Sequence, residues 1–416
     1  MVTVRVTTLN GRGAGAYSVD GPADYYLQPG EPRGRWVGDA ATVLGLSGDV
    51  ADDHFLALMA RMDPHHPDHH LGGRYTEKSV RGFDVTASAP KSVSVLFALG
   101  DAEVRREVLA AHDDAVKALA GWIERHAHTR YRIGGEVAVV DAGGIIAAAF
   151  RQHTSRALDP QLHTHLVIPN RVLSPDGRWL ALDARLIKVD QQSLSAIYHS
   201  GLRTELTRRL GVRWERPEHG IAEIRDVPSD VTAEFSTRTA DVRRRTEDKL
   251  DRFLETMGRE PTPRERWMLE REAVIDSRPS KSTLVDAEAL HTGWAEQSRQ
   301  LGHEPATLIA DAVERIAERR GIDAATREQM IERTIVAMSE KQSTWRPTQL
   351  HRELAALVPT ETAATAEQLV GWLDRVVEEI TSTRCVDVSK PIPPDSTLRR
   401  DGRPITESVA DRALTT

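Results

Sequence analysis

The stretch that decides the fold is Phe150-Arg-Gln-His-Thr-Ser-Arg-Ala-Leu-Asp-Pro-Gln-Leu-His-Thr-His-Leu-Val-Ile-Pro169. Its histidines His163 and His165 stand two residues apart, a spacing that puts both imidazoles on one face of a β-strand. Apolar residues flank the histidines on both sides, and residues 155–160 are rich in turn-forming types. The stretch therefore predicts an antiparallel hairpin that carries His153 across to the other two histidines. Three converging imidazoles suit a divalent transition metal with positions left open for a substrate.

The composition narrows the class of protein. The chain has 416 residues, of which 40% are hydrophobic, enough for two or three domains with real cores. Its net charge is −7, so a contact with nucleic acid requires a local basic groove. The single cysteine, Cys385, excludes an internal disulfide. We expect a soluble cytoplasmic protein, because no apolar run is long enough to span a membrane and no signal-peptide pattern opens the chain.

Three tyrosines follow the first predicted strand. Residues 2–9 alternate apolar and polar side chains, which is typical of a half-buried strand. Tyr17, Tyr25 and Tyr26 come soon afterwards and are three of the six tyrosines in the chain. Ordinary aromatic packing also accounts for them when they are taken alone. The glycines between residues 11 and 15 lack the spacing of a dinucleotide-binding loop.

A second strand is predicted from Arg81 to Pro90, with a helix from Lys91 to Leu99. Asp84 lies on this strand, near enough in the predicted sheet to assist the histidine hairpin, although an aspartate that caps the following turn or helix is the alternative. The segment 89–92 lacks the glycines of a phosphate-binding loop, so nucleotide hydrolysis is not expected. A long amphipathic helix is predicted from Ala102 to about His126.

Two other groups of histidines are predicted not to form sites. Pro64-His-His-Pro-Asp-His-His70 lies among prolines and glycines in a predicted flexible loop, which would order a metal poorly. His126 and His128 also stand two residues apart. They lie at the end of a helix, where residues i and i+2 do not share a face.

The C-terminal part is predicted to be almost wholly helical from Pro228 onward. Residues 301–342 are predicted to form a helical linker and residues 343–390 a small winged-helix-like module. Residues 391–416 are rich in proline, aspartate and arginine without periodicity, and they predict a linker tail.

Tyrosines beside a metal suggest a reaction at phosphate. A tyrosine hydroxyl has a pKa of about 10 and is a poor nucleophile unless a base or cation activates it. A metal held by neutral imidazoles keeps its full positive charge, which favours an anionic substrate such as a phosphodiester. Asp84 is suited either to orient a histidine through its ring N–H or to accept the tyrosine proton.

These motifs, in this order, resemble the conjugative relaxases of the MobF class within the HUH endonucleases. The resembling segments are Tyr17 with Tyr25-Tyr26, residues 83–94 and residues 150–165. The resemblance extends to about residue 300, so residues 1–300 are expected to form the relaxase domain. It implies an α+β fold with a central antiparallel sheet, the HUH relaxase palm, flanked by helices.

The resemblance also implies a mechanism. Tyr17 would attack one strand at an origin of transfer, giving a 5′-phosphotyrosine and a free 3′-OH, and Tyr25 or Tyr26 would act second. Asp84 would assist the nucleophile. His153, His163 and His165 would bind a divalent metal ion such as Mg, Mn, Zn or Ni.

The implied partners are single-stranded and origin-of-transfer DNA, together with relaxosome accessory and coupling proteins. A monomer in the cytoplasm of a bacterium that carries a plasmid or mobile element is expected. A helicase usually follows the relaxase domain in this class, and its absence from these residues fits a tail that is cut short. The basic side chains expected to contact DNA are Arg74, Arg81, Lys91, Arg151, Arg171, Arg185 and Lys188.

Two residues depart from the pattern of many relatives. Tyr17 is followed by Ser18 rather than by a second tyrosine, and Thr164 replaces a bulky hydrophobe between the histidines. Three other functions stay open on the sequence. They are a rolling-circle replication initiator, in which the tyrosine follows the histidine pair, a metallohydrolase that uses bound water, and a DNA-binding scaffold with a structural metal.

Overall fold

The computed structural model describes residues 4–10, 33–73, 76, 79–155, 157–276, 286–314 and 319–416. Strands and helices are numbered in chain order over these residues. The strands are β1 (Val4–Asn10), β2 (Arg35–Val37), β3 (Val80–Ser88), β4 (His128–Ile133), β5 (Glu136–Asp141), β6 (Gly144–Ile145), β7 (Ala147–Thr154), β8 (Pro160–Pro169), β9 (Val172–Leu173), β10 (Trp179–Leu180), β11 (Val386–Asp387) and β12 (Leu414–Thr415).

The helices of the same residues alternate with these strands and then dominate the C-terminal half. They are α1 (Asp39–Val43), α2 (Asp52–Met59), α3 (Lys91–Leu99), α4 (Ala102–Arg125), α5 (Arg185–Val189), α6 (Gln191–Leu210), α7 (Ser229–Glu234), α8 (Thr237–Met257), α9 (Pro263–Asp276), α10 (Ala287–Gln300), α11 (Pro305–Ala312), α12 (Ala324–Lys341), α13 (Pro347–Ala356) and α14 (Ala366–Thr383). None of these helices is both long and apolar enough to cross a bilayer.

A five-stranded antiparallel sheet lies at the centre, in the order β1-β3-β8-β7-β2. The predicted hairpin is confirmed, since β7 and β8 pair with Phe150 opposite His165 and Arg151 opposite Thr164. Its turn includes Leu158 at a φ of 63°. The central strand β8 is apolar on both faces beyond His165, so it requires cover on both sides of the sheet.

Helices α3, α4 and α6 cover one face of the sheet. The stripe predicted on α4 is confirmed, because Val104, Val108, Leu119, Trp122 and Ile123 are all buried in the main core. Helix α4 begins where the Asp101 side chain accepts a hydrogen bond from the backbone N–H of Val104 at 2.9 Å, an N-cap that satisfies one of the first-turn donors.

Helix α2 covers part of the opposite face. Phe55 packs edge-to-face on Phe150 with ring centroids 5.1 Å apart, and both side chains belong to a small apolar cluster with Met59 and Val167. The register places Val167 directly opposite Asp84. This face of the sheet therefore carries the polar residues of the site beside a compact apolar patch.

The C-terminal module has its own apolar core, built from α12, α13 and α14. Helix α12 lies in the segment predicted to be a linker, yet it contributes Met330, Ile331 and Met338 to this core. The strands β11 and β12 pair through two residues each. The packed unit thus begins earlier along the chain than residue 343, and its likeness to a winged helix stays a prediction.

The tail differs from the predicted linker. Leu414 is fully buried and exchanges backbone hydrogen bonds of 2.9 and 2.8 Å with Trp345. Arg399 and Arg403 are buried as well, and their guanidinium groups donate to backbone carbonyls and to Glu407. Residues 391–416 pack without apolar periodicity because buried arginines bond to main-chain oxygens.

Candidate active site

Strands β3 and β8 bring the polar residues of the site onto one face. Thr86 lies opposite His165 and Ser88 opposite His163, so all four side chains project from the same side of the sheet as Asp84. The imidazole rings of His163 and His165 have centroids 5.2 Å apart. The predicted same-face pair is therefore confirmed.

Asp84 orients His165. The Nδ1–H of His165 donates to the two carboxylate oxygens of Asp84 at 3.0 and 2.9 Å, and both side chains are almost fully buried. The hydroxyl of Thr86 lies 3.2 Å both from Asp84 Oδ1 and from His165 Nδ1. Because a carboxylate oxygen accepts, the N–H of His165 that faces Asp84 is on Nδ1, which leaves Nε2 as the ring nitrogen that can bind a metal.

His163 is fixed in the same tautomer by a different partner. Its Nδ1–H donates to the backbone carbonyl of Gln161 at 2.8 Å. Burial, with His165 as the next contribution, lowers the pKa of His163 to about 3, so the ring is neutral at physiological pH. Nε2 of His163 and Nε2 of His165, each on a ring oriented through Nδ1, form a donor set that fits a divalent metal.

His153 does not join this pair in the structure. Side chains alternate along β7, and Gln152 is the residue opposite His163, so His153 projects from the other face. Its ring packs on Phe97 of α3 with centroids 4.9 Å apart, and the three hairpin histidines do not bring their ligand atoms within 4.8 Å of one another. Burial and then Arg151 lower the pKa of His153 to about 4.

Gln152 is the residue that sequence reasoning missed. The register break of the hairpin falls after Gln152, where β8 uses one residue more than β7, so the alternation of β7 itself is undisturbed. Directly opposed residues of an antiparallel pair have Cβ atoms about 5 Å apart. Gln152 on β7 therefore lies beside His163 on β8. Only the exact register of the two strands reveals this placement.

Thr164 faces away from the histidines and into the helix layer. Its hydroxyl lies 2.7 Å from Nε2 of His112 on α4, whose Nδ1 lies 2.8 Å from the hydroxyl of Tyr198 on α6. All three side chains are buried. The departure from a bulky hydrophobe at this position thus has a structural reason, since Thr164 links the central strand to two helices.

Replacement of Thr164 by valine is expected to destabilise the protein by about 1–3 kcal/mol, because it leaves a buried ring nitrogen of His112 without its partner. Thr164→Ser keeps the hydroxyl and should cost less. Urea denaturation of both variants measures the difference. Equal stability of the valine and serine variants would show that the hydrogen bond to His112 contributes nothing.

The protein is expected to lose stability in mild acid. Burial, followed by Arg203, lowers the pKa of His199 to about 3, and burial lowers the pKa of His112 well below its ordinary value. In the unfolded chain a histidine titrates at about 6.5, so below that pH the unfolded state binds protons that the folded state does not. Stability present above pH 7 is therefore lost progressively as the pH falls toward 3.

Urea midpoints at pH 7.5, 6.5 and 5.5 measure this loss. His199→Gln should reduce the fall of the urea midpoint between pH 7.5 and 5.5. Replacement of the exposed His66 by alanine should leave that fall unchanged. A midpoint that is flat over this range would contradict the expectation.

Most of the basic residues predicted to contact DNA have partners within the protein. Lys91 donates to the carbonyl of Pro160 at 2.8 Å, and burial lowers its pKa to about 8 although Asp159 and Glu223 oppose the shift. Arg151 and Arg185 form ion pairs with Asp113 and Asp183. Arg171 is buried and donates to the carbonyls of Asn170 and Gly73. Lys188 lies 5.7 Å from the ring centroid of Phe83, and Arg81 is half-buried.

The predicted nucleophiles Tyr17, Tyr25 and Tyr26, and the predicted DNA contact Arg74, lie outside the described residues. Their roles therefore stay predictions from the sequence.

The chain belongs to the TrwC relaxase family, whose model matches residues 11–301. It is 29% identical over 365 residues to the multifunctional conjugation protein TraI of Escherichia coli, a match that covers 84% of this chain and 19% of TraI. The chain thus spans about a fifth of the length of the curated relatives it matches.

Solved structures of the conjugative relaxase TrwC in complex with oriT DNA are also similar. The metal-free complex is 30% identical and the metal-bound complex 29%, each with a TM-score of 0.60. Each match covers 73% of this chain and 99% of the TrwC chain. At this level of identity and coverage the antiparallel-sheet fold of the relaxases is shared.

Proposed function

We propose that this chain nicks and rejoins one strand of DNA at an origin of transfer and so initiates conjugative transfer. The observation that carries the proposal is the β3–β8 pairing, which fixes two imidazoles and an orienting carboxylate on one face of the sheet. Membership of the TrwC relaxase family supports it, as do the similar TrwC structures, which contain oriT DNA and, in one case, a metal.

Tyr17 is the proposed first nucleophile. Its hydroxyl oxygen forms a bond to phosphorus while the bond from phosphorus to the 3′ oxygen breaks, which leaves a 5′-phosphotyrosine and a 3′-hydroxyl. The tyrosine loses its proton to a base and the departing 3′ oxygen gains one, so the step is balanced and reversible. Tyr25 or Tyr26 is proposed to attack the second phosphodiester in the same way.

His163 and His165, with the carboxamide oxygen of Gln152, are the proposed donors to a divalent metal. Such an ion, when bound, would polarise the scissile phosphate and neutralise charge that develops in the transition state. The position of Asp84 favours one of its two expected roles. It already accepts the Nδ1 proton of the His165 ring, so it holds that ring in place rather than taking the tyrosine proton.

The proposed setting is the cytoplasm of a bacterium that carries a conjugative element. Single-stranded origin DNA is the proposed substrate, and relaxosome accessory and coupling proteins are the proposed partners of a monomeric chain. TraI is much longer than this chain, so its further activities are not carried over.

The test is a covalent-adduct assay with a set of origin oligonucleotides and Mg²⁺ or Mn²⁺. Wild type should give a protein–DNA adduct that survives denaturant and depends on the metal. Tyr17→Phe should give none, and Tyr25→Phe and Tyr26→Phe should retain the first cleavage. A full adduct in Tyr17→Phe would refute the assignment of the nucleophile. Metal-dependent hydrolysis without an adduct would identify a metallohydrolase instead.

A further inference from the structure

A second group of side chains that could ligate a metal brings together residues from distant parts of the chain. His126, His351 and Asp374 bring ligand atoms within 4.8 Å of one another. Among the described residues, no other group of three such side chains is this close together. Each residue comes from a different helix. His126 directly follows α4, His351 lies on α13 and Asp374 on α14.

Both histidines are oriented in the way that metal ligands usually are. Nδ1 of His126 lies 2.9 Å from the carbonyl of Trp122, and Nδ1 of His351 lies 3.2 Å from the carbonyl of Pro347. A carbonyl can only accept, so a ring that donates to it from Nδ1 presents the lone pair of Nε2 to a metal. Outer hydrogen bonds of this kind fix the tautomer and the ring plane of metal-bound histidines.

Nε2 of His351 faces the carboxylate of Asp374. It lies 2.9 Å from Oδ1 of Asp374, while Nδ1 of the same ring lies 3.2 Å from the carbonyl of Pro347. A neutral imidazole has only one N–H, so the ring donates either to Asp374 or to Pro347. A cation between Nε2 and the carboxylate would replace the first of these hydrogen bonds and keep the second.

His126 brings a second ring to the same place. Its ring stacks on Trp122 with centroids 4.1 Å apart and lies 5.4 Å from the ring of His351. A hydrogen bond between His351 and Asp374 needs nothing from His126, whereas a metal would use Nε2 of both histidines.

We propose that His126, His351 and Asp374 bind a Zn²⁺ ion that joins the C-terminal module to the sheet domain. Two imidazoles and one carboxylate are a known donor set for zinc, with a fourth position left for water. Ligand atoms around a tetrahedral zinc stand about 3.4 Å apart, as bond lengths of about 2.1 Å require, so His351 and Asp374 need to separate by only a few tenths of an ångström. Asp374 also lines a cavity of about 840 Å³ between α4 and α14, which gives the ion a path from solvent.

Arg125 supplies a matched control. Its Nε donates to Oδ2 of Asp374 at 2.9 Å, so it belongs to the same polar cluster without being a ligand. Loss of Arg125 removes an ion pair but leaves all three donors. The two explanations of the cluster therefore predict opposite outcomes for Arg125 and for the histidines.

The experiment uses the full chain with His163→Ala and His165→Ala, which removes the proposed site on the sheet. The protein is stripped with a chelator, equilibrated with one to two equivalents of Zn²⁺, desalted and analysed for bound zinc. Co²⁺ then serves as a spectroscopic probe, since tetrahedral cobalt absorbs strongly in the visible range. We expect one zinc per chain and an intense cobalt spectrum.

Asp374→Asn and His351→Gln should each lose the zinc and the cobalt spectrum, whereas Arg125→Gln should keep both. Circular dichroism confirms that each variant is folded, and Asp374→Asn is nearly isosteric. A variant with His65, His66, His69 and His70 all changed to alanine should also keep the zinc.

No zinc in the parent, zinc retained in Asp374→Asn and His351→Gln, or zinc lost with the loop histidines would each overturn the proposal. None of these readouts depends on DNA cleavage, so the proposed nicking activity stands or falls separately.

Discussion

Replacement of His165 by alanine is expected to slow cleavage of a single-stranded origin oligonucleotide by more than about 100-fold, the usual loss when a group that stabilises transition-state charge is removed. His165 is the better oriented of the two paired histidines, because Asp84 and Thr86 both contact its Nδ1. Asp84→Asn should have a smaller effect, about 10- to 100-fold on metal affinity, since asparagine occupies the same space but no longer carries the charge that fixes the tautomer.

Single-turnover cleavage at several metal concentrations separates the two effects. High metal should restore much of the rate of Asp84→Asn and little of that of His165→Ala. His69→Ala, in the exposed loop, is the control and should cleave like wild type. An Asp84→Asn variant whose rate stays low at saturating metal, with a shifted pH profile, would instead indicate that Asp84 takes the tyrosine proton.

The second large effect concerns Gln152, the proposed third metal donor. Gln152→Ala is expected to weaken metal binding at least about 10-fold, because loss of a direct donor should cost no less than loss of an outer partner. His153→Ala should leave metal affinity unchanged, since its ring packs on Phe97 at the opposite face. Isothermal titration of both variants with Mn²⁺ measures the contrast.

Gln152→His offers the converse test. A carboxamide oxygen suits Mg²⁺ and Mn²⁺, whereas a third imidazole favours Zn²⁺ and Ni²⁺, so this variant should shift its preference toward the softer ions. The parent and the variant are compared by competition between Mn²⁺ and Zn²⁺. Loss of metal in His153→Ala together with wild-type affinity in Gln152→Ala would reverse the assignment and restore the ligand set predicted from the sequence.

The sequence predicted the hairpin because its signals are local. Same-face spacing of His163 and His165, apolar flanks and a turn rich in polar residues determine β7 and β8 without knowledge of the rest of the chain. Asp84 was also found, since it sits on a recognisable strand. The sequence leaves its role between two alternatives, and the distances to His165 favour the orienting one.

The proposed third metal donor, Gln152, could not be predicted from the sequence because its placement depends on register. A shift of one residue moves a side chain to the other face of a sheet, so Gln152 and His153 exchange places with one step of pairing. Local geometry argues against His126 as a ligand, because residues i and i+2 diverge on a helix. Its proposed co-ligands His351 and Asp374 lie more than 200 residues further along the chain, and no local pattern connects them.

The tail shows the limit of periodicity as a signal. Its buried arginines bond to main-chain carbonyls, an arrangement that a search for apolar stripes does not detect. Thr164 is similar, because its importance lies in a hydrogen bond to His112 that spans two layers of the fold.

The carboxylate partners of Arg151 and Arg185 bear on the thermodynamics of DNA binding. Each phosphate neutralised on a single strand releases condensed counterions and steepens the dependence of log affinity on log salt by about 0.7. Arg151 and Arg185 are already paired with Asp113 and Asp183, so each should release few counterions on binding. Loss of either arginine should therefore leave the slope of log affinity against log salt nearly unchanged.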